Sequence, residues 1–392
     1  MINFKDIVID TIFDLDINLN KEEIRELIEI PPNPEMGDFS FPCFKLSKTL
    51  RKAPNIISEE LVNRINIDDS IFSNVKNVGP YINFFVRNSE FSKNVIKEIF
   101  DKKEKYGSSQ DNLDKTIVID YSSTNIAKPF HIGHIRSTLI GNVIKNIYNF
   151  LGYNTVGVNH LGDYGTQFGK IIAAYKLWGN DEEINADPIN QLLKLYVDFN
   201  NLCKTDEKML ETARDYFNKL ENGDEESVRL WNWFKDISLM EFQKVYDKLK
   251  VEFDSYRGEA YHSQFIDDVV KELLVESDGC KIVNLDKYDL PPALILKSNS
   301  SSTYITRDIA TALTRKKDYN FYKNIYVVAT QQKLHFQQLK AVLEEMGYEW
   351  AKENLIHVPY GLVSLEGGKL STRSGNIVYA EDILKESVSK IR

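Results

Sequence analysis

"TIVIDYSSTNIAKPFHIGHIRSTLIGNVIKNIYNFLGYNTVGV", residues 116–158, decides the fold of this chain. It opens on an apolar, β-branched run that stops at Asp120, which reads as a buried strand. From Ile132 the period changes: Ile135, Leu139, Val143 and Ile147 recur every four residues, the spacing of one helix face. Gly152 ends that helix, and "TVGVNHLGD" (155–163) begins the next strand. Strand, loop, helix and strand form a βαβ unit, which predicts a parallel sheet with a right-handed crossover. The pattern resumes after residue 290. "ALILK" (293–297), "NIYVVAT" (324–330) and "LIHVPYGLV" (355–363) read as strands, and "TRDIATALTRKK" (306–317) and "LHFQQLKAVLEEMGY" (334–348) as helices. An acidic, mostly helical insertion at about 170–285 separates the two halves. The predicted fold is α/β: a Rossmann-like, doubly wound parallel sheet carrying a helical insertion, preceded by a small α/β domain. Ligands of such sheets bind at the carboxyl ends of the strands, near the switch in strand order.

The preceding unit spans residues 1–112. "KEEIRELIE" (21–29) is a short helix with Ile24, Leu27 and Ile28 on one face, stopped by Pro31, Pro32 and Pro34. "VGPYINFFV" (78–86) is a strand after a Gly-Pro turn, and the lysine-rich "FSKNVIKEIFDKKEKYG" (91–107) is a helix. The polar "SSQDNLDK" (108–115) sets the boundary near residue 112. A net charge of −9 over 392 residues argues against a general nucleic-acid coat, though not against a local basic patch. The longest apolar runs are strand-sized, so no membrane span is expected. The N-terminus lacks a basic start and a cleavage site, which excludes a signal peptide. Cys43, Cys203 and Cys280 form no pair at metal or redox spacing, which predicts a reducing, cytoplasmic setting and no protein-held metal.

Within the first βα turn, "NIAKPFHIGHIRST" (125–138) concentrates positive and hydrogen-bonding groups. A helix N-terminus attracts phosphate through its unpaired N–H groups and the positive end of its dipole. His131 and His134 share one side of the first turn, and Gly133 leaves room for a flat base against the backbone. The reading is a nucleoside-triphosphate site without a P-loop, since no GxxxxGK[ST] occurs. The plainer alternative, two histidines that only cap a helix, must ignore the strand before them and the helix after them.

"HIGH" in this position resembles the signature of class I aminoacyl-tRNA synthetases and related nucleotidylyl transferases. "GGKLSTRSGN" (367–376) resembles the second signature of those synthetases, a Lys-Met-Ser-Lys-Ser loop, with Lys369, Leu370, Ser371, Thr372 and Arg373 in its five places. Thr372 stands where other members carry a second lysine. Losing one such charge would cost about 3–4 kcal/mol, so Lys128 is expected to substitute. Several further stretches resemble arginyl-tRNA synthetases in particular: "DYSSTNIAKPFHIGHIRST" (120–138), "NHLGDYGTQFGK" (159–170), "YITRDIATA" (304–312) and "VVATQQKLHFQQL" (327–339). In the front domain, "PEMGDFSFPCFKLSK" (34–48) and the strand at 78–86 match that family's additional domain, and Thr124 departs from a frequent proline.

The resemblance implies a two-step reaction. Arginine and ATP, with Mg²⁺ on the triphosphate, give arginyl-adenylate and pyrophosphate, and the arginyl group then moves to tRNA(Arg). It makes His131, His134, Lys128 and Lys369 the catalytic set. Lys128, His131, Gly133, His134, Lys369, Ser371 and Arg373 are the implied ATP contacts. Asp120, Ser123, Asn125, His131, Tyr304, Asp308 and Gln332 are the implied arginine contacts, with Gln331 a rival to Gln332. Asp308 is expected to open a helix and take the guanidinium, with Tyr304 against its plane and Asp120 supplying a second negative charge. A helix N-cap role is the alternative for Asp308. No tightly bound cofactor is expected, and the chain is expected to be a monomer. Its front domain would contact the corner of the tRNA, residues 113–380 would form the catalytic domain, and residues 381–392 would begin an anticodon-binding domain that does not follow. That last expectation implies weak charging by this chain. The competing classes are a shortened paralogue that binds arginine or RNA, and a tRNA-independent nucleotidylyl transferase.

Overall fold

The computed structural model describes residues 3–267, 269, 275–277, 280–298, 302–362, 364–365, 368–369 and 378–391, and the chain divides into two compact units, Met1–Gly107 and Ser108–Arg392. The first unit runs α1 (Phe4–Phe13), α2 (Lys21–Leu27), β1 (Phe39–Pro42), α3 (Leu46–Leu50), α4 (Pro54–Val62), β2 (Phe72–Val78), β3 (Tyr81–Val86) and α5 (Asn88–Lys102). Its sheet has the order β1–β3–β2 and is antiparallel throughout. The strand expected at 78–86 is the second arm of a hairpin turning at Gly79-Pro80, where Gly79 takes φ +57°, a value glycine adopts without strain. Ile82 and Phe84 point into a core shared with Val8, Ile12, Ile24 and Phe41.

The second unit runs β4 (Thr116–Asp120), α6 (Ile132–Phe150), β5 (Asn154–Val158), α7 (Thr166–Trp178), α8 (Asp181–Ala186), α9 (Pro188–Thr205), α10 (Glu207–Glu221), α11 (Glu225–Leu249) and α12 (Glu259–Ser263). It continues with β6 (Val275–Ser277), β7 (Cys280–Val283), β8 (Ala293–Leu296), α13 (Tyr304–Tyr319), β9 (Lys323–Ala329), α14 (Lys333–Glu345), α15 (Trp350–Asn354), β10 (Leu355–Tyr360), β11 (Ser364–Leu365), β12 (Gly368–Lys369) and α16 (Ala380–Ile391). The main sheet has the order β10–β9–β4–β5, and every pairing in it is parallel. The order reverses between β4 and β9. Asp120, Val158, Ala329 and Tyr360 end the strands on the side where such a sheet takes its ligand.

One expectation is corrected. The "ALILK" strand is not in the parallel sheet: β8 joins β6 and β7 in an antiparallel sheet. The connection from β7 to β8 is too short to hold a crossover helix, so the strands return antiparallel. The helix expected from Ile132 is α6, and its stripe Leu139–Val143–Ile147 faces away from the sheet. These side chains are 40%, 53% and 52% exposed, while Ser137, Thr138 and Gly141 are the buried face of α6. The cause is close approach. A Cβ on Gly141 would lie 2.2 Å from the Tyr121 ring, and Ser137 Oγ donates to the Val327 carbonyl at 2.9 Å. Bulky residues on that face would push the helix off the strand ends.

The insertion packs onto the same core. Leu230, Phe234, Ile237 and Phe242 of α11 are buried, and they join a cluster with Ile117, Ile119, Phe168 and Ile325. Polar contacts tie α11 to the loop after β4. Tyr246 Oη lies 2.9 Å from Ser122 Oγ and accepts from Asn159 Nδ2 at 2.9 Å, and Ser238 Oγ accepts from the Ala127 N–H at 3.1 Å.

Candidate active site

His131 stands at the N-cap of α6 with extended backbone. Its Nδ1 accepts from the Gly133 N–H at 3.1 Å, and the Nδ1 of His134 accepts from the His131 N–H at 3.2 Å. This is a capping box built from two imidazoles. The rings stack at 3.8 Å between centroids and 18° between planes. The remaining first-turn donors are also taken: the Ile132 N–H bonds to the Val378 carbonyl at 3.1 Å and the His134 N–H to the His131 carbonyl at 2.9 Å. The expectation of free backbone N–H groups for phosphate is therefore corrected. Each imidazole that accepts through Nδ1 keeps its proton on Nε2, so the rings themselves become the donors. Burial lowers the pKa of both histidines, most strongly at His134, and the charge of Lys128 lowers them further. Two neutral rings stack without like-charge repulsion and present N–H donors at the positive end of a helix.

The cap itself also requires glycine at position 133. A Cβ there would stand 2.9 Å from Cε1 and 3.0 Å from Nδ1 of His131. Lys128 Nζ sits 5.9 Å from the centroid of the Tyr196 ring on α9. The segments flanking the second signature are bonded to the start of α6. Arg136 donates to the Gly361 carbonyl, His131 bridges to Tyr379, and the Ala380 N–H bonds to the Phe130 carbonyl at 3.0 Å. Lys369 closes the short strand β12. Ser371, Thr372 and Arg373 lie outside the described residues.

The acid at the end of β4 is already paired. Asp120 Oδ2 lies 2.8 Å from Arg315 Nη2, with both side chains almost fully buried, and its Oδ1 accepts from Ser123 Oγ at 2.9 Å. An internal guanidinium thus matches the charge of Asp120, and Ser123 is turned toward it. Asn125 bridges to Gly162 across the neighbouring loop. Arg315 also reaches His160 Nδ1 at 3.3 Å, and His160 stacks on His262 at 5.6 Å.

Burial, reinforced by Arg315, pulls the His262 pKa down to about 2. A histidine held neutral in the fold binds more protons when unfolded, so its contribution is complete above the unfolded pKa and is lost as pH falls below it. Between about pH 7 and about pH 5 this residue alone is expected to remove about 2 kcal/mol of stability. Urea unfolding at the two pH values checks this, since His262→Asn should flatten the slope by that amount. A slope that the substitution leaves unchanged refutes it.

Tyr304 is the first residue of α13, 70% exposed, behind Thr303 in the N-cap position. Asp308 therefore lies one turn inside the helix and does not cap it, which corrects both the helix-opening expectation and its alternative. Its Oδ2 is 2.6 Å from His335 Nε2 on α14. The Tyr304 ring is covered by Arg307, whose Cζ is 4.6 Å from its centroid, and Arg307 Nη1 bonds to Glu259 Oε2 at 3.2 Å. Burial raises the Glu259 pKa to about 7 despite that arginine. Gln332 and Gln331 are both exposed, in the turn leading into α14.

Arg315, His160, Glu259, Arg307 and His335 carry no local signal as site residues. Each joins the cluster through a partner far away in sequence. Lys170 donates to Asn200 Oδ1 at 2.7 Å. Among the described residues, no group of three or more His, Cys, Asp or Glu side chains is placed to hold a metal ion. No described helix is long and apolar enough to cross a membrane.

Residues 95–392 match the family described as "tRNA synthetases class I (R), catalytic domain", and residues 3–86 match "Arginyl tRNA synthetase N terminal domain". The arginine–tRNA ligase of Halothermothrix orenii is 52% identical, with 100% of this chain and 70% of that protein covered. That of Clostridioides difficile is 52% identical over 96% of this chain and 67% of its own length. The crystal structure of arginyl-tRNA synthetase from Plasmodium falciparum matches with TM-score 0.64 at 25% identity, over 93% of this chain and 63% of that one. The chain thus spans about two thirds of the length of the proteins it matches. Half of its residues are shared across its whole length with enzymes of one specificity, and it belongs to the arginine–tRNA ligases, class I synthetases that use ATP to charge tRNA with arginine.

Proposed function

We propose that the α6 start and the α13–α14 pair form the two halves of one activation site. The stacked, neutral histidine pair beside Lys128 carries this reading. The arginine carboxylate oxygen attacks the α-phosphorus of ATP. The bond from that phosphorus to the bridging oxygen breaks, and pyrophosphate leaves with the electron pair. His131 and His134 donate through Nε2 to the phosphate oxygens, while Lys128 and Lys369 answer the charge. Such a step needs positioning and fixed donors more than a strong base. Gly133, Ser371 and Arg373 complete the ATP contacts. Mg²⁺ carried in with ATP would screen the triphosphate charge, and no described side chains of the chain are assigned to hold it. The adenylate carbonyl is then attacked by a terminal ribose hydroxyl of tRNA(Arg), and AMP leaves.

Asp308 takes the substrate guanidinium, Tyr304 and Gln332 flank it, and Ser123 and Asn125 serve the amino and carboxylate end. Asp120 acts there through its Arg315 pair. Residues 1–112 form the additional domain at the tRNA corner and residues 113–380 the catalytic domain. The chain works as a cytoplasmic monomer; its described cysteines, all unpaired, support the reducing compartment.

Calorimetric titration with a non-hydrolysable arginyl-adenylate analogue tests this, with lysyl and cysteinyl analogues as controls. Tight binding of the arginyl analogue alone is expected, weakened at least about tenfold in Asp308→Asn, because a bidentate charged pair is lost. Equal binding of the three analogues refutes it.

A further inference from the structure

We propose that His335 is a positioning residue for arginine selection, holding the Asp308 carboxylate by one oxygen so that its other edge is left for a guanidinium. The inference rests on the reading of Asp308 given above. Among the described residues, Asp120, Glu259 and Asp163 lie with Asp308 around this end of the sheet, and each of those three has a strong cation of the protein's own. Asp120 is paired with Arg315 at 2.8 Å, Glu259 with Arg307 at 3.2 Å and Asp163 with Lys235 at 2.9 Å. Asp308 has instead a histidine nitrogen at 2.6 Å. An arginine partner is always charged and cancels the carboxylate, whereas an imidazole donates one hydrogen bond without an obligatory charge. Asp308 is thus the carboxylate of this cluster that is oriented yet not matched by an arginine or lysine.

The imidazole is itself fixed. It sits on α14 with its edge against Phe336, 5.4 Å away at 79°, and Phe336 is buried between Tyr326 at 4.9 Å and His357 at 4.5 Å. The side chains of His335 and Asp308 are 20% and 29% exposed, so the pair is shielded but reachable from solvent. An unheld carboxylate would sample rotamers that a planar fork cannot engage with both nitrogens. Holding it removes that cost from each binding event.

Three variants test this with the arginyl-adenylate analogue and with the KM values for arginine and ATP. His335→Gln keeps an N–H donor at similar reach and should stay within about threefold of the parent. His335→Leu removes the donor and should weaken arginine about tenfold or more, while the KM for ATP holds. His335→Arg cancels the charge and should weaken arginine further still. It also serves if the leucine variant fails to fold. In a double-mutant cycle, adding His335→Leu to Asp308→Asn should cost nothing more, because the two act as one unit. Parent-like affinity in both His335→Leu and His335→Arg, with Asp308→Asn impaired, overturns the positioning role and leaves the reading of Asp308 standing. Parent-like affinity in Asp308→Asn overturns that reading and this inference with it.

Discussion

Replacing Lys128 with alanine is expected to slow arginine-dependent ATP–pyrophosphate exchange about a hundredfold, a loss of about 3 kcal/mol of transition-state stabilisation. The second signature carries Thr372 where a second lysine is usual, so one charge fewer is available from that side of the site. Lys128 lies three residues before His131, and its charge is felt at both imidazoles. In the proposed reaction, charge that develops on the phosphates in the transition state would be met there by a group placed beforehand. The loss should therefore fall on kcat and spare the KM for arginine. Measured with tRNA(Arg) present, Lys128→Arg should recover part of the rate. An alanine variant as fast as the parent sinks the compensation argument, and a loss confined to the KM for arginine assigns Lys128 to substrate binding instead.

Arg315→Met should destabilise the chain by about 3–5 kcal/mol, because it leaves Asp120 buried without its partner. Arg315 is 2% exposed and Asp120 5%, so water cannot take over the neutralisation. The double variant Asp120→Asn/Arg315→Met removes both charges and should regain most of that loss. Urea unfolding of the parent, the single and the double variant decides it. A single variant as stable as the parent would mean the carboxylate is solvated or protonated, and the pair would no longer explain how the end of β4 is held.

The strand–turn–helix at 116–150 was legible because its signals are local: apolar run, turn and periodicity lie within one stretch. The α6 stripe misleads by the same rule. Apolar periodicity marks a face that packs, but Ser137, Thr138 and Gly141 pack closer than leucines allow, which leaves Leu139 and Val143 outward. The histidine pair was legible as a candidate site by spacing, while its capping geometry was not, because an imidazole in place of a serine or aspartate is an unusual cap. Arg315, Glu259 and His335 could not be read at all. Arg307 meets Glu259 across 48 residues and His335 meets Asp308 across 27, so only the fold brings them together. Ion pairs between distant segments leave no periodic trace.

The contacts of α11 have a consequence for how the molecule comes apart. Tyr246 and Ser238 hydrogen-bond the loop between β4 and α6, and Lys235 and Trp231 reach Asp163 and its carbonyl. Chain topology makes residues 170–285 an excursion from the sheet, yet these bonds and the shared apolar cluster fasten α11 to the loops at the strand ends. Native-state hydrogen exchange should find the amides of α11 and β4 opening with one free energy, as a single cooperative block. Shortening that helix would then loosen the carboxyl end of the strands rather than trim the periphery of the sheet.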